Sequence, residues 1–155
     1  MIKKIIVRLN LLKIISLVLY IFRIFPIKKN KVCFINFSGK GYGDNPKYIT
    51  EEILKENEDI EIVWFVKNIE KVKKEFPSRV RLVKIFSLRY LYELATAKVW
   101  VNNSRFDQFV IKRKGQYYIQ TWHGGLALKK IEYDAADKMS EYYHKVMKND
   151  NNLMD

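Results

Sequence analysis

A parallel α/β sheet is the fold class this sequence predicts, on three observations. Short runs that are apolar almost throughout recur at "KVCFINF" (31–37) and "IEIVWFV" (60–66). A helical stretch lies between them, and a glycine-rich loop, "SGKGYGDN" (38–45), leaves the first run. A strand that is apolar at nearly every position is covered on both faces, as parallel strands flanked by helices are. Strand, loop, helix and strand in succession is the repeating unit of that class.

The chain has 155 residues, 48% of them apolar, enough for one packed domain or a piece of a larger protein. Its formal charge of +12 is unevenly spread. Residues 1–31 carry eight Lys or Arg and no acid, whereas the remainder holds 21 basic against 17 acidic residues. That first segment, with bases scattered among Leu, Ile, Val and Phe, ends its helical pattern at Pro26. Its cleanest apolar run, residues 14–22, is shorter than the roughly 20 residues a bilayer span needs. No small-residue cleavage site follows, so it is not a secretory signal. On a helical wheel its polar positions gather on no single face. Residues 1–30 are therefore read as a membrane-associating helix in the cytoplasmic leaflet, where anionic lipid attracts Lys and Arg. The alternative is a helix docked on a portion of the protein outside this sequence.

Residues 31–155 read as the α/β body. "DNPKYITEEILKEN" (44–57) offers Asp44 or Asn45 as helix cap and Pro46 as the first helical residue. A third strand is expected at "RVRLVKI" (79–85). Ser87 then caps a helix with Leu88, Leu91, Tyr92 and Ala95 on its inner face. "KVWVNN" (98–103) and "QYYIQT" (116–121) are further strands, with Lys112, Arg113 and Lys114 at a basic, solvated hairpin tip between them. The last helix, within 134–148, is expected to turn Ala136, Met139, Tyr143 and Val146 inward and to leave His144 at the surface. "KNDNNLMD" (148–155) reads as a frayed end. Ligands of such sheets sit beyond the strands' carboxyl ends, so the loops 38–45, 102–108 and 122–125 should open toward one rim.

Several chemistries are disfavoured by spacing. Gly39, Gly41 and Gly43 alternate, Asp44 stands where a dinucleotide fingerprint needs its third glycine, and Lys67 and Asn68 replace the acid expected after the second strand. A phosphate-loop NTPase would need Gly-Lys-Ser or Gly-Lys-Thr, which is absent from the sequence. Cys33 is the single cysteine, which excludes an internal disulfide and a four-thiolate zinc site. Nucleic-acid binding needs a basic face with stacking aromatics, yet Phe34, Phe37, Trp64 and Phe65 fall within strands. "WHGG" (122–125) is more informative: a histidine after a buried strand can act as a general base, and the glycines free the following backbone to meet an anion. A His-Gly pair also occurs in ordinary turns, and the residues alone leave both readings open.

Taken together, "FSGKGYGDNPKYI", "ATAKVWVNNSRF" and "KGQYYIQTWHGGLALKK", in that order, resemble the CDP-glycerol glycerophosphotransferase family, which builds glycerol-phosphate chains of teichoic acids and related capsular polymers. The resemblance covers residues 36 to about 130. It implies a Rossmann-like sheet forming the N-terminal, acceptor-side half of a GT-B glycosyltransferase-like fold, peripheral on the cytoplasmic side of the cell membrane. It implies transfer of glycerol phosphate from CDP-glycerol to a hydroxyl of a lipid-linked acceptor, either a polyprenyl diphosphate saccharide or a growing polymer, with no cofactor, no metal and no nucleic-acid partner. His123 matches the family's base. Ser38, Gly39, Lys40, Tyr42 and Asn45 match its first substrate-binding loop, Asn102, Asn103, Ser104 and Arg105 its second, and Trp122, Gly124 and Lys129 flank the histidine. The family continues after Trp-His-Gly with Thr-Pro-Leu-Lys, whereas this chain has "GLALKK", which resembles a capsule-associated branch and leaves the acceptor open. The family's donor-binding second domain is not found in these 155 residues, so the chain alone is expected to be inactive. The rival expectation is a truncated or degenerate membrane-bound interaction module.

Overall fold

The computed structural model describes residues 11–56, 58–122 and 139–155. Five strands, β1 (Lys28–Ile35), β2 (Glu61–Val66), β3 (Arg81–Lys84), β4 (Ala97–Asn102) and β5 (Tyr117–Gln120), pair in the order β3-β2-β1-β4-β5, every neighbour parallel. The order reverses at β1, which is flanked by β2 and β4, with Ile35 opposite both Phe65 and Asn102. Such a reversal leaves a crevice between the loops that leave the two central strands. All five expected strands are present. The first starts three residues early and stops at Ile35, because Phe37 and Ser38 take positive φ and turn the chain away.

Alternation along β1 feeds two cores. Cys33 and Ile35 face one side with Val63, Phe65 and Trp100; Val32 and Phe34 face the other with Ile62, Trp64 and Val101. The second side is covered by α2 (Asp44–Glu56) through Ile49, Ile53 and Leu54, and by Phe76, which follows the short helix α3 (Ile69–Val72) and a 3-10 turn. Trp64 stacks on Phe34 and donates its indole N–H to Thr50. The sequence pattern gave no sign of α3, a single turn capped by Asn68. The first turn of α2 closes when Lys47 N–H donates to the Gly43 carbonyl. Gly43 thus stands in the cap position expected for Asp44 or Asn45, and Pro46 is the third helical residue rather than the first.

The first side carries α4 (Leu88–Thr96), α5 (Glu141–Leu153) and α1 (Leu11–Ile21). Ser87 caps α4 as expected, accepting from Tyr90 N–H at 3.1 Å. Its inner face is rotated from the predicted one: Tyr90, Leu91, Leu94 and Ala95 are buried, whereas Leu88 is 69% exposed and Tyr92 only half-buried. α1 packs alongside with Leu19 in the core, and the turn after it brings Phe22 and Phe25 edge-on to Tyr92. Ser16 Oγ donates to the Phe109 carbonyl, and Arg23 reaches the carbonyls of Ile111 and Lys112. The opposite face of α1 leaves Ile14, Leu17, Tyr20 and Ile21 exposed, continued by Ile24. Among the described residues no helix is long and apolar enough to cross a membrane.

Three further expectations change. β4 and β5 are parallel, so residues 103–116 form a crossover, not a hairpin; Phe106, Phe109 and Val110 are buried in it. Arg113 in that crossover is no solvated tip, since its guanidinium donates to the carbonyls of Phe25 and Ala95. Ser140 caps α5, so Met139 precedes the helix; Val146 is buried as expected, Tyr143 is exposed, His144 half-buried, and Ala136 lies outside the described residues. The helix runs on through Leu153 with Asp150 wholly buried, so 148–155 is ordered rather than frayed.

Toward the amino ends of β2 and β3 lies a cluster of paired charges. Lys31 and Glu93, both fully buried, meet at 2.5 Å, and Lys31 also donates to Thr96 Oγ1. Arg81 and Arg89 complete the shell of Glu93, and Arg81 pairs with Glu61 as well.

Candidate functional site

At the other end of the sheet the loops leaving β1, β4 and β5 converge. Asn36, just past β1, accepts the backbone N–H of Gly39 and Lys40 on its carbonyl and donates its side-chain amide to the Gly41 carbonyl at 3.1 Å, winding residues 36–41 into a tight turn. Gly39 sits at φ +88°, where a Cβ would lie 3.1 Å from Lys67 N, so glycine is required there by backbone contact. Four non-glycine residues around this rim, Phe37, Ser38, Asp44 and Trp122, have positive φ. Such conformations cost free energy and persist where neighbours over-determine them, a situation typical of ligand sites.

Asn103 is the hub that does so. Fully buried, it accepts from Phe37 N–H at 2.9 Å and donates to both Asn36 Oδ1 and Asp44 Oδ2 at 2.8 Å. Asn102, also buried, accepts from the N–H and Oγ of Ser104, while Ser104 Oγ accepts from Ser38 N–H. The third loop is tied in by Asn45, whose exposed amide donates to the carbonyls of Thr121 (3.3 Å) and Trp122 (3.0 Å). The three loops expected at one rim therefore meet there, as far as Trp122.

The individual residues are not equivalent. Ser38, Lys40 and Asn45 are exposed; Lys40 lies over the Phe37 ring. Tyr42 points instead into the layer under α2, against Trp64 and Phe76, and burial pushes its hydroxyl up to about 12. Arg105 stacks between the rings of Trp122 (4.8 Å) and Tyr143 (5.2 Å). His123, Gly124 and Lys129 lie outside the described residues.

A second polar set, unforeseen from the sequence, stands behind Trp122. Asp150 in α5 accepts from Phe106 N–H (2.9 Å) and from the Tyr118 hydroxyl (3.0 Å), and its other oxygen accepts from Gln120 Nε2 at 3.4 Å. Gln120 Oε1 in turn accepts from Trp122 N–H at 3.1 Å. Burial raises the Asp150 carboxyl above the ordinary aspartate range, against the lowering effect of those hydrogen bonds. Burial, then the Asp150 charge, pushes the Tyr118 hydroxyl well up, so it stays a donor. Asn36 carried a readable signal, a lone amide inside the apolar "CFINF". Asp150 carried none, sitting among Asn and Asp that resemble a solvated end.

The exposed part of the rim thus presents hydroxyl, amide and cationic groups on a fixed backbone, a set suited to oxygen-rich, anionic ligands.

Comparison with known proteins agrees with that chemistry. The family model for CDP-glycerol:poly(glycerophosphate) glycerophosphotransferase matches residues 17–155. The teichoic acid poly(glycerol phosphate) polymerase of Bacillus spizizenii is 37% identical over 128 residues, 80% of this chain and 32% of that protein. The teichoic acid glycerol-phosphate transferase of Staphylococcus aureus is 36% identical over 110 residues, 70% of this chain and 27% of that one. A variant of the wall teichoic acid polymerase TagF superposes with a TM-score of 0.77 at 26% identity, covering 96% of this chain and 38% of its own; a variant soaked with CDPG gives 0.72 at 25%, with the same coverages. The chain therefore spans about a third or less of the length of the curated relatives it matches. On this match over nearly its whole length, the chain belongs to the CDP-glycerol:poly(glycerophosphate) glycerophosphotransferase family.

Proposed function

We propose that this chain is the acceptor-side half of a GT-B transferase that moves glycerol phosphate from CDP-glycerol to a hydroxyl of a teichoic-acid or capsular-polymer acceptor carried on lipid. The observation that carries the reading is the meeting of three loops at the β1/β4 crevice, fastened by Asn103 and Asn45 and ending at Trp122, the residue before His123. In the reaction the acceptor oxygen attacks the phosphorus that bears glycerol. His123 takes the hydroxyl proton, the bond from that phosphorus to the bridging oxygen breaks, and CMP leaves with the electron pair. Ser38, Lys40, Asn45, Ser104, Gly124 and Lys129 supply hydrogen bonds and positive charge to acceptor and phosphate. Gly39, Asn102, Asn103 and Arg105 hold the backbone that presents them. Tyr42, turned into the apolar layer, sets the loop from below. The donor nucleotide is held by a second domain facing the rim.

The exposed stripe of Ile14, Leu17, Ile21 and Ile24, with Arg23 and Lys13 beside it, supports peripheral attachment to the cytoplasmic face of the membrane. Leu17→Glu with Ile21→Glu should abolish co-sedimentation with anionic vesicles while leaving the circular dichroism spectrum unchanged; full retention on vesicles would refute the attachment.

The catalytic reading is tested by CMP release from CDP-glycerol in the presence of acceptor, with the chain joined to a donor-binding domain. His123→Ala should lower turnover by about 10²–10⁴-fold, the usual share of a general base. Undiminished turnover in the folded variant would refute it.

A further inference from the structure

We propose that the corner between β3 and α4, where Phe86 and Leu88 stand exposed between Lys84 and Arg89, is a second membrane contact that enters an anionic bilayer beside α1. It rests on the attachment through α1 proposed above.

The corner is built against the ordinary preferences of a turn. Phe86 takes φ +59°, a left-handed conformation that a bulky side chain adopts only where its neighbours enforce it. They do so from both sides. Ile85 N–H donates to the Val66 carbonyl at 2.9 Å, and Ser87 donates its hydroxyl to the Lys84 carbonyl at 2.7 Å while capping α4. The Phe86 ring meets Tyr90 and Phe109, yet 62% of the residue stays exposed. Leu88 packs into neither core. A glycine or asparagine would hold the turn with less strain, so the turn itself does not ask for an aromatic ring.

The corner adjoins the apolar stripe of α1. That helix leads into β1 and α4 into β4, two parallel neighbours, so the helices run side by side in the same direction. They are in step. Phe22 lies edge-on to Tyr92, and six residues earlier on each, Ser16 and Phe86 meet the same residue, Phe109, one at its carbonyl and the other at its ring. Phe86 and Leu88 thus extend the stripe of Ile14 and Leu17 sideways.

Charge selects the occupant. Neither residues 11–31 nor residues 84–92 include an acid, and Lys13, Lys84 and Arg89 lie exposed around the apolar side chains. Arg89 reaches Glu93 through Nε and still keeps about half of its side chain in solvent. Apolar groups ringed by cations suit the headgroup boundary of an anionic membrane, where the former enter the acyl layer and the latter meet phosphate. A lone helix can roll about its axis on such a surface, and a contact on α4 stops the roll. Because all the strands are parallel, the corner at the carboxyl end of β3 shares that end of the sheet with the Asn103 rim, and turns it toward the lipid.

The test places bimane on introduced cysteines in the 155-residue chain, in the variants Leu88→Cys, Leu17→Cys and Tyr48→Cys; Cys33, being buried, stays unlabelled. Tyr48 is exposed on α2, across the sheet, and serves as the control. Vesicles of equal parts phosphatidylglycerol and phosphatidylcholine, the latter brominated along its acyl chains, should quench the probes at positions 88 and 17 and spare the one at 48. Quenching at 17 with none at 88 overturns the second contact and leaves attachment through α1 standing. A chain that stays off the vesicles, with no probe quenched, removes both. Equal quenching at 48 means adsorption in no fixed orientation and overturns the proposal too. In the unlabelled chain Leu88→Gln should weaken binding to the same vesicles about tenfold, the share of one leucine side chain returned from lipid to water, with the melting temperature unchanged. Unchanged affinity overturns the proposal. So does a probe at 88 whose emission changes with protein concentration in the absence of lipid, the mark of a second copy of the chain seated there.

Discussion

The two ends of one sheet are polar in opposite ways. At the amino end one ion pair, Lys31 with Glu93, is fully buried, and the more exposed Arg81 and Arg89 share the same carboxylate, on helix and strand backbone without unusual angles. At the carboxyl end the fastening runs through the amides of Asn36, Asn45, Asn103 and Gln120, with the carboxylates of Asp44 and Asp150 among their acceptors, and the backbone they hold is strained at Phe37, Ser38, Asp44 and Trp122. A buried ion pair is expensive to break and contributes little beyond the desolvation it offsets, so it fixes one packing arrangement. The amides fix backbone geometry by directional hydrogen bonds, while Lys40 stays exposed at the same rim.

The contrast can be broken most forcefully at Glu93. Glu93→Ala strands Lys31 in the core and should cost about 3–5 kcal/mol by urea unfolding, whereas Lys31→Met with Glu93→Leu should recover most of that loss. At the rim, Asn103→Ala leaves Phe37 N–H, Asn36 Oδ1 and Asp44 Oδ2 without their partner; a loss of about 1–3 kcal/mol is expected in the same measurement. Gly39→Ala puts a Cβ against Lys67 N at φ +88° and should cost more than the ~1 kcal/mol of an ordinary glycine replacement, with the 36–41 turn losing amide-exchange protection.

The smallest effect sharpens the comparison through pH. Burial pushes the Glu61 carboxyl up, but Lys31 and Arg81 outweigh it and hold it below the usual glutamate range. Its contribution is thus full above the unfolded-chain value of about 4.3 and drains away as pH falls through the folded value. Asp150, raised by burial, has the opposite sign: its contribution is complete below the ordinary aspartate value and is lost as pH rises through the folded one. Glu61→Gln should lower the melting temperature slightly at pH 7 and flatten its fall between pH 5 and 3.

Much of this was legible in the residues because parallel strands buried on both faces leave little else for runs such as "CFINF" and "EIVWFV" to be. The loops could be placed on one rim by topology alone. What escaped reading depends on partners distant in sequence. The setting of Tyr92 depends on Phe22 and Phe25 some seventy residues earlier, and that of Asp150 on Phe106, Tyr118 and Gln120. Periodicity reports which face of an element is apolar, not how many neighbours share it. α1 itself, whose wheel has no clean polar face, is apolar on two sides because it packs with one and exposes the other.

That helix is tied to the crossover at its middle, by Ser16 to Phe109, and just beyond its end, by Arg23 to Lys112 and Arg113 to Phe25. Were the exposed stripe of Leu17 and Ile21 to rest on a membrane as proposed, those ties would let its plane set the altitude and pitch of the Asn45 edge, much as a drill stand sets its bit.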